Sequence, residues 1–203
     1  MLSLKDGRFL VNVARRAIES HVGEGKIPRP KDVSDNLKEP RGVFVTLSKH
    51  GDLRGCIGRP LPTMPLIDAV VDSAVSSATM DPRFPPVTPK ELQEIVVEVS
   101  VLTKPEAVKV KHPREYPKCI TVGKHGLIME CEGFSGLLLP QVPVEWEWNE
   151  EEFLSHACMK AGLQPDEWLK GKVCVSRFCA QVFKEKEPRG EVEELKPPEE
   201  KNK

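Results

Sequence analysis

Apolar residues recur every three or four positions in three stretches of the chain, which is the spacing of an amphipathic helix. The first stretch, Ser3–Gly23, opens on a helix-capping serine and ends at a glycine. The second is Thr63–Thr79, and the third, Asn149–Gly162, opens on a capping asparagine. The pattern therefore predicts three main helices.

Other stretches alternate apolar and polar residues, as strands with one buried face do. Gly42–Ser48 and Leu53–Ile57 flank a turn that contains Gly51, so they are predicted to pair as a hairpin. Further strands are predicted at Ile95–Thr103, Val173–Phe183 and, as short ones, residues 119–122, 127–131 and 136–139. Because the strands come mostly as hairpins, the predicted class is α+β, with a largely antiparallel sheet flanked by helices.

Composition narrows the classes of partner. The 203 residues include 30 Lys+Arg and 31 Asp+Glu, so the sequence gives no strong nucleic-acid signal. No apolar run reaches the length of about 18 residues that suggests a membrane span, and no targeting segment is recognised, so we expect a cytoplasmic protein. Residues 184–203 carry six basic and seven acidic side chains and are predicted to be a disordered tail after a body of residues 1–183.

The six cysteines do not indicate a metal or a cofactor. They form no Cys-x-x-Cys pair, and no histidine pair at ligand spacing accompanies them. The sequence also contains no glycine-rich phosphate loop and no other common cofactor motif. We therefore predict no metal site and no cofactor, and five of the cysteines are expected to be small buried hydrophobic residues.

The remaining cysteine, Cys56, lies in the hexapeptide Leu53–Gly58, which reads LRGCIG. Arg54 and Cys56 are two positions apart on an extended segment, so we expect their side chains on one face, with the guanidinium favouring the reactive thiolate. Gly55 and Gly58 would let a ligand approach the backbone. The alternative is a glycine bulge with a packed cysteine and an arginine paired to a carboxylate.

A second candidate is the loop of residues 81–86, in which three prolines fix the backbone. It would present Asp81 and Arg83 to a ligand, with Arg83 as a fork for an anion. The alternative is a helix connector in which Asp81 and Arg83 pair with each other.

Two weaker candidates come later in the chain. His125 lies between two glycines and suits either acid–base chemistry or an exposed hairpin turn. Gln141 lies among prolines in an apolar run and is a possible ligand contact. It is followed by Trp146 and Trp148, which suit an interface or the core equally.

Four of these segments together resemble the signature of the AMMECR-one (AMMECR1) family, namely residues 53–58, 81–86, 124–126 and 136–142. The resemblance covers residues 1–183 and leaves out the tail. It implies an α+β domain of two closely packed lobes with the cysteine motif near a cleft. It supplies no catalytic assignment, and it implies association with Memo-like and radical SAM proteins.

Two functions are consistent with these features. In the first, the protein is an enzyme whose catalytic residues are Cys56 and Arg54, acting on an unknown small molecule or modified macromolecule. In the second, the same cleft binds a ligand or partner protein without turnover. In both, the expected binding residues are Gly55, Gly58, Asp81, Arg83, His125 and Gln141.

Overall fold

The computed structural model describes residues 1–27, 30 and 32–195. Its α-helices are α1 (Leu4–Glu24), α2 (Leu66–Thr79), α3 (Tyr116–Cys119), α4 (Val142–Glu145) and α5 (Glu150–Lys160). Short 3₁₀ turns lie at Asp35–Leu37, Glu91–Gln93, Pro113–Glu115 and Glu167–Lys170. The strands are β1 (Val43–Lys49), β2 (Asp52–Arg59), β3 (Ile95–Leu102), β4 (Glu106–Ala107), β5 (Gly126–Cys131), β6 (Phe134–Leu138), β7 (Cys174–Phe178), β8 (Ala180–Glu185) and β9 (Val192–Leu195).

The α+β class is confirmed, and the described chain divides into two compact units. The first unit comprises Met1–Leu102 and the described residues from Gln181 onward, and the second comprises Thr103–Ala180. The strand orders of the two sheets are β2-β1-β3-β8-β9 and β4-β7-β5-β6. β1 pairs antiparallel with β2 and β3, as β5 does with β6 and β7. None of the described helices is both long and apolar enough to cross a membrane.

In the first unit, α1 and α2 pack against one face of the five-stranded sheet. α1 begins as predicted, because the Ser3 hydroxyl accepts the Asp6 N–H and the Asp6 carboxylate accepts the Ser3 N–H. It ends at Gly25, which adopts the left-handed conformation. Alternate residues of β1 and β3, together with the apolar faces of both helices, are buried there. The alternate residues of β1 and β3 on the opposite face include Thr46 and Glu98.

The predicted disordered tail is wrong over residues 184–195. Residues 184–185 end β8, and β9 pairs antiparallel with β8. The carboxylate of Glu185 is 2% exposed and accepts from the guanidinium of Arg15, with an Nε–Oε1 distance of 3.1 Å. Val192 is buried in the same core. Charge composition predicted disorder because it takes no account of a partner elsewhere in the chain. Residues 196–203 lie outside the described residues.

In the second unit, α5 packs on the four-stranded sheet, over a core that includes Phe153, Leu127 and Val175. The strand predicted at residues 119–122 is absent from this part of the structure. Its backbone instead forms a turn, in which the Thr121 N–H donates to His125 Nδ1 at 2.9 Å and the Thr121 carbonyl accepts the His125 N–H. Local hydrogen bonds thus replace strand pairing.

The predicted single strand over residues 173–183 is two strands, β7 and β8, in different sheets. The break falls at Cys179, whose N–H donates to Thr103 Oγ1 and whose carbonyl accepts the Thr103 N–H, both at 2.9 Å. Continuous alternation along the sequence concealed this change of sheet.

Candidate functional site

Cys56 and Arg54 lie in β2, at the edge of the five-stranded sheet. The register of the β1–β2 pair shifts between Leu47 and Ser48, and the residue left without a partner is Arg54. Such a bulge re-aims a side chain. The Arg54 guanidinium donates to both carboxylate oxygens of Glu91, at 3.0 and 3.2 Å, and holds the pKa of Glu91 down to about 2. Of the two alternatives predicted for the motif, this pairing agrees with the one in which the arginine binds a carboxylate.

The thiol of Cys56 is half-buried, and its burial raises its pKa above the ordinary value. Two contacts act against this effect. The Thr46 hydroxyl donates to Sγ at 3.3 Å, and the positive charge of Arg83 favours the thiolate. The prediction that Arg54 lowers the pKa of Cys56 is therefore wrong, because burial dominates and the charge that favours the thiolate comes from Arg83.

Asp81 and Arg83 hold the backbone of Cys56 at the edge of the sheet. The Cys56 N–H donates to Asp81 Oδ2 at 2.8 Å, and Arg83 Nη2 lies 3.4 Å from the Cys56 carbonyl oxygen. Arg83 also donates to both oxygens of Asp81, at 3.0 and 2.7 Å, and holds the pKa of Asp81 well below its usual range. The pair thus occupies the place of a neighbouring strand at an otherwise open edge.

Phe84 connects the first two motifs. The guanidinium carbon of Arg54 lies 5.9 Å from its ring centroid, and that of Arg83 lies 5.5 Å from it. Both distances are typical of cation–π contacts. The structure therefore brings the cysteine motif and the proline-rich loop together, as a mutually paired cluster.

The glycines of the motif make room for the protein itself. A Cβ on Gly55 would lie 2.2 Å from the carbonyl oxygen of Ser77 in α2, and one on Gly58 would lie 2.4 Å from the ring of Phe44. We expected Gly55 and Gly58 to open the backbone to a ligand, but on the side where a Cβ would stand, each glycine is covered by the protein itself. There, α2 and an aromatic ring occupy the space.

We expect Gly55→Ala to lower the free energy of unfolding by about 1–3 kcal/mol, because the neighbouring atom is backbone and moves only with α2. Gly23→Ala is the matched control. Its new Cβ meets nothing within 4 Å, and as a helical residue it should gain up to about 1 kcal/mol. Urea denaturation of both variants measures the difference, and equal stabilities would contradict the prediction.

The structure adds two residues that were not predicted from the sequence, Thr46 and Glu98. Thr46 pairs with Cys56 on one side and with Glu98 on the other, so the three side chains form a row across β2, β1 and β3. Glu98 is half-buried, and burial raises its pKa although Lys184 Nζ lies 3.8 Å from Oε2. One signal was present, since Glu98 is the only charged residue in the apolar strand β3.

His125 and Gln141 belong to the second unit, whereas Cys56, Asp81 and Arg83 belong to the first. His125 is buried, so an exposed hairpin turn is wrong for it. Gln141 is exposed, and its main-chain carbonyl accepts the N–H groups of Val144 and Glu145 in α4. That all the predicted residues line one cleft stays a prediction. Within the described residues, no group of three or more His, Cys, Asp or Glu side chains is placed to hold a metal ion.

These features define an α+β protein with a half-buried cysteine on a clamped edge strand. The chain belongs to the AMMECR1 family, whose model matches residues 11–183. It is 53% identical to protein MJ0810 of Methanocaldococcus jannaschii over 198 residues, which are 97% of this chain and 98% of that protein. It is 53% identical to protein MK0488 of Methanopyrus kandleri over 196 residues, 95% of each chain.

A solved structure shares the fold. The crystal structure of the uncharacterized protein PH0010 from Pyrococcus horikoshii matches with a TM-score of 0.87 and 51% identity, over 95% of this chain and 97% of that one. Both the family and the fold agree with the resemblance read from the sequence. The names of these relatives state no activity, so a function has to be argued from the site.

Proposed function

We propose that the protein is an enzyme that uses Cys56 as a nucleophile toward an electrophilic carbon of a small molecule or a modified macromolecule. The observation that carries the proposal is the row of Cys56, Thr46 and Glu98 across three paired strands. The Thr46 hydroxyl is 3.3 Å from the thiol sulfur. Neighbouring strands lie about 4.8 Å apart, so Glu98 is two strand spacings from Cys56, with Thr46 between the two side chains. The sequence alone indicated no such base.

The chemistry begins with removal of a proton from a thiol that burial keeps neutral. Glu98 suits this step because burial raises its pKa toward neutral pH, which makes its carboxylate a stronger base than an exposed one. The sulfur lone pair adds to the carbon of a substrate carbonyl group, whose π electrons move onto its oxygen. The thiol proton passes to the Thr46 hydroxyl, which lies between the two side chains and gives its own proton to Glu98. The Thr46 hydroxyl and the charge of Arg83 stabilise the negative charge that develops on sulfur.

The alkylation of Cys56 by iodoacetamide, followed by mass spectrometry of its peptide, tests this arrangement. In the wild type, the rate should rise with an inflection above the ordinary thiol value of about 8.5. Glu98→Gln should lower the inflection, because the charge of Glu98 raises the pKa of Cys56. Thr46→Val should raise it, because the hydrogen bond to sulfur is lost.

Of the five cysteines expected to be buried, Cys158 is buried, whereas Cys174 is exposed. Cys174 therefore provides an internal control, since its labelling should be the same in all variants. An inflection that is unchanged in Glu98→Gln would count against the base assigned here. So would a Cys56 that resists labelling up to pH 10.

The alternative proposal is a non-catalytic module that binds a ligand or partner in the same place. The observation favouring it is the raised pKa of Cys56, which leaves the resting thiol uncharged. Complementation of a deletion strain by Cys56→Ser separates the two. A folded but inactive variant supports the enzyme, and full complementation supports the module. The Memo-like and radical SAM partners implied by the family resemblance belong to both proposals, and co-purification with the tagged wild type tests them.

A further inference from the structure

A row of three aromatic rings leads from α5 to the surface of the second unit. The indole of Trp148 stacks on the imidazole of His156, with centroids 3.7 Å apart and planes within 2°. Trp146 follows at 6.3 Å from Trp148, with an angle of 18° between the rings. Trp148 packs against the core of the unit, whereas Trp146 is 67% exposed. The predicted core position is thus correct for Trp148, and an interface at Trp146 stays a prediction.

The backbone holds the exposed ring in a fixed turn. The Trp148 N–H donates to the Pro143 carbonyl at 2.8 Å, and Glu147 adopts a positive φ of 55°. Asn149 then caps α5 by accepting the N–H groups of its first turn. Trp146 is therefore presented without a large entropic cost on binding, because the segment on both sides is already ordered.

The surroundings of this ring are strongly acidic. Residues 144–152 contain five glutamates and no lysine or arginine. Glu145, Glu147 and Glu151 are exposed, and none of the residues that the structure describes forms a salt bridge with their side chains. An exposed tryptophan beside unneutralised carboxylates repels nucleic acid and attracts a cation. We call Val144, Trp146 and these three glutamates the tryptophan surface.

We propose that the tryptophan surface binds a basic, arginine-containing segment of a partner protein. A guanidinium lies flat on an indole face and donates hydrogen bonds to carboxylates at the same time, so one arginine satisfies both features of the surface. Tryptophan is the strongest aromatic partner for such a cation. Val144, which is 44% exposed, adds apolar contact for the aliphatic part of the side chain. This proposal does not depend on the chemistry of Cys56.

Titration of the full chain with a hexa-arginine peptide, followed by calorimetry at 0.15 M salt, tests the proposal. We expect saturable binding to the wild type and at least a tenfold loss of affinity in Trp146→Ala. The double variant Glu145→Lys/Glu147→Lys should lose binding entirely. Because Trp146 is exposed, its replacement should leave the unfolding temperature unchanged.

Two matched controls belong to the same unit. Met159→Ala removes a different exposed apolar side chain, and Glu130→Lys reverses a different exposed charge. Both should bind the peptide as the wild type does. Equal affinity in Trp146→Ala would overturn the proposal in favour of bulk charge attraction. Tighter binding of a single-stranded oligonucleotide, or a dimer that dissociates in Trp146→Ala, would also overturn it, because another occupant would then cover the surface.

Discussion

Replacement of Glu185 by alanine should lower the free energy of unfolding by about 3–5 kcal/mol, because a buried guanidinium loses its directly bonded carboxylate and keeps only the partly exposed Glu19, 3.8 Å away. Arg15 and Glu185 have side-chain exposures of only 6% and 2%. Arg15 also donates to the carbonyls of Leu92 and Ile95, and Glu185 accepts the Val97 N–H. The pair therefore joins α1, β3 and β8 in one buried network, and the measurement is the urea midpoint.

The matched control is Arg8→Ala, which breaks a pair between α1 and Glu191 in the same unit. Those side chains are 48% and 61% exposed, and exposed pairs contribute about 1 kcal/mol or less. The double variant Arg15→Ala/Glu185→Ala should cost less than the sum of its single variants, because the two groups act through each other. Additive costs, or a Glu185→Ala variant as stable as Arg8→Ala, would contradict the prediction.

This network also shows what sequence patterns could not predict. α1, α2, α5 and the β1–β2 hairpin were predicted because the apolar spacing that forms them is local, and Ser3 and Asn149 cap α1 and α5. The predicted start of α2 at Thr63 was three residues early, since the helix begins at Leu66 without a side-chain cap. Arg15 and Glu185 are separated by 170 residues, and each alone looks like one more exposed charge. The strands at the end of the described chain depend on that distant partner, so charge composition predicted disorder instead.

The candidate site was also predicted in part, and the features that were missed depend on strand pairing. The cysteine motif and the proline-rich loop are neighbours, which the sequence left open, and Asp81 and Arg83 pair with each other, as one of the two alternatives had it. The pairing of Arg54 with Glu91 was missed because strict alternation fails at a bulge, which depends on the register with β1. A catalytic role for Arg54 stays a prediction. Glu98 was missed for a related reason. It shares a row with Cys56 through two successive strand pairings, with Thr46 between them.

Replacement of Asp81 by alanine should lower the free energy of unfolding by about 2–4 kcal/mol, because the removed carboxylate is 3% exposed and holds several donors. These are the backbone N–H groups of Cys56 and Arg83 and two nitrogens of the Arg83 guanidinium. Arg83→Ala should cost less, because its side chain is 53% exposed and water replaces its contacts. Urea denaturation at pH 7 measures both variants, and a smaller cost for Asp81→Ala than for Arg83→Ala would contradict the prediction.

The same carboxylate should make the protein sensitive to acid. The pKa of Asp81 is well below its unfolded value of about 3.9, so its contribution is complete above that value and is lost as the pH falls through the folded pKa. Asp81→Asn should therefore be less stable than the wild type at pH 7 and lose less stability between pH 4 and pH 2. Asp35→Asn is the control, since Lys38 also lowers the pKa of Asp35 but that carboxylate is exposed. This variant should lose as much stability between pH 4 and pH 2 as the wild type does.

If Asp81→Asn lost as much stability between pH 4 and pH 2 as the wild type, the contact between Asp81 and the Cys56 backbone would not depend on the charge of Asp81. Asp81 and Arg83 also affect the reactivity of the thiol, because the charge of Asp81 raises the pKa of Cys56 while that of Arg83 lowers it. Asp81→Asn removes only the first of these charges. Its Cys56 should therefore be alkylated faster than the wild-type residue at pH 7, so that one substitution weakens the edge strand and makes its cysteine more reactive.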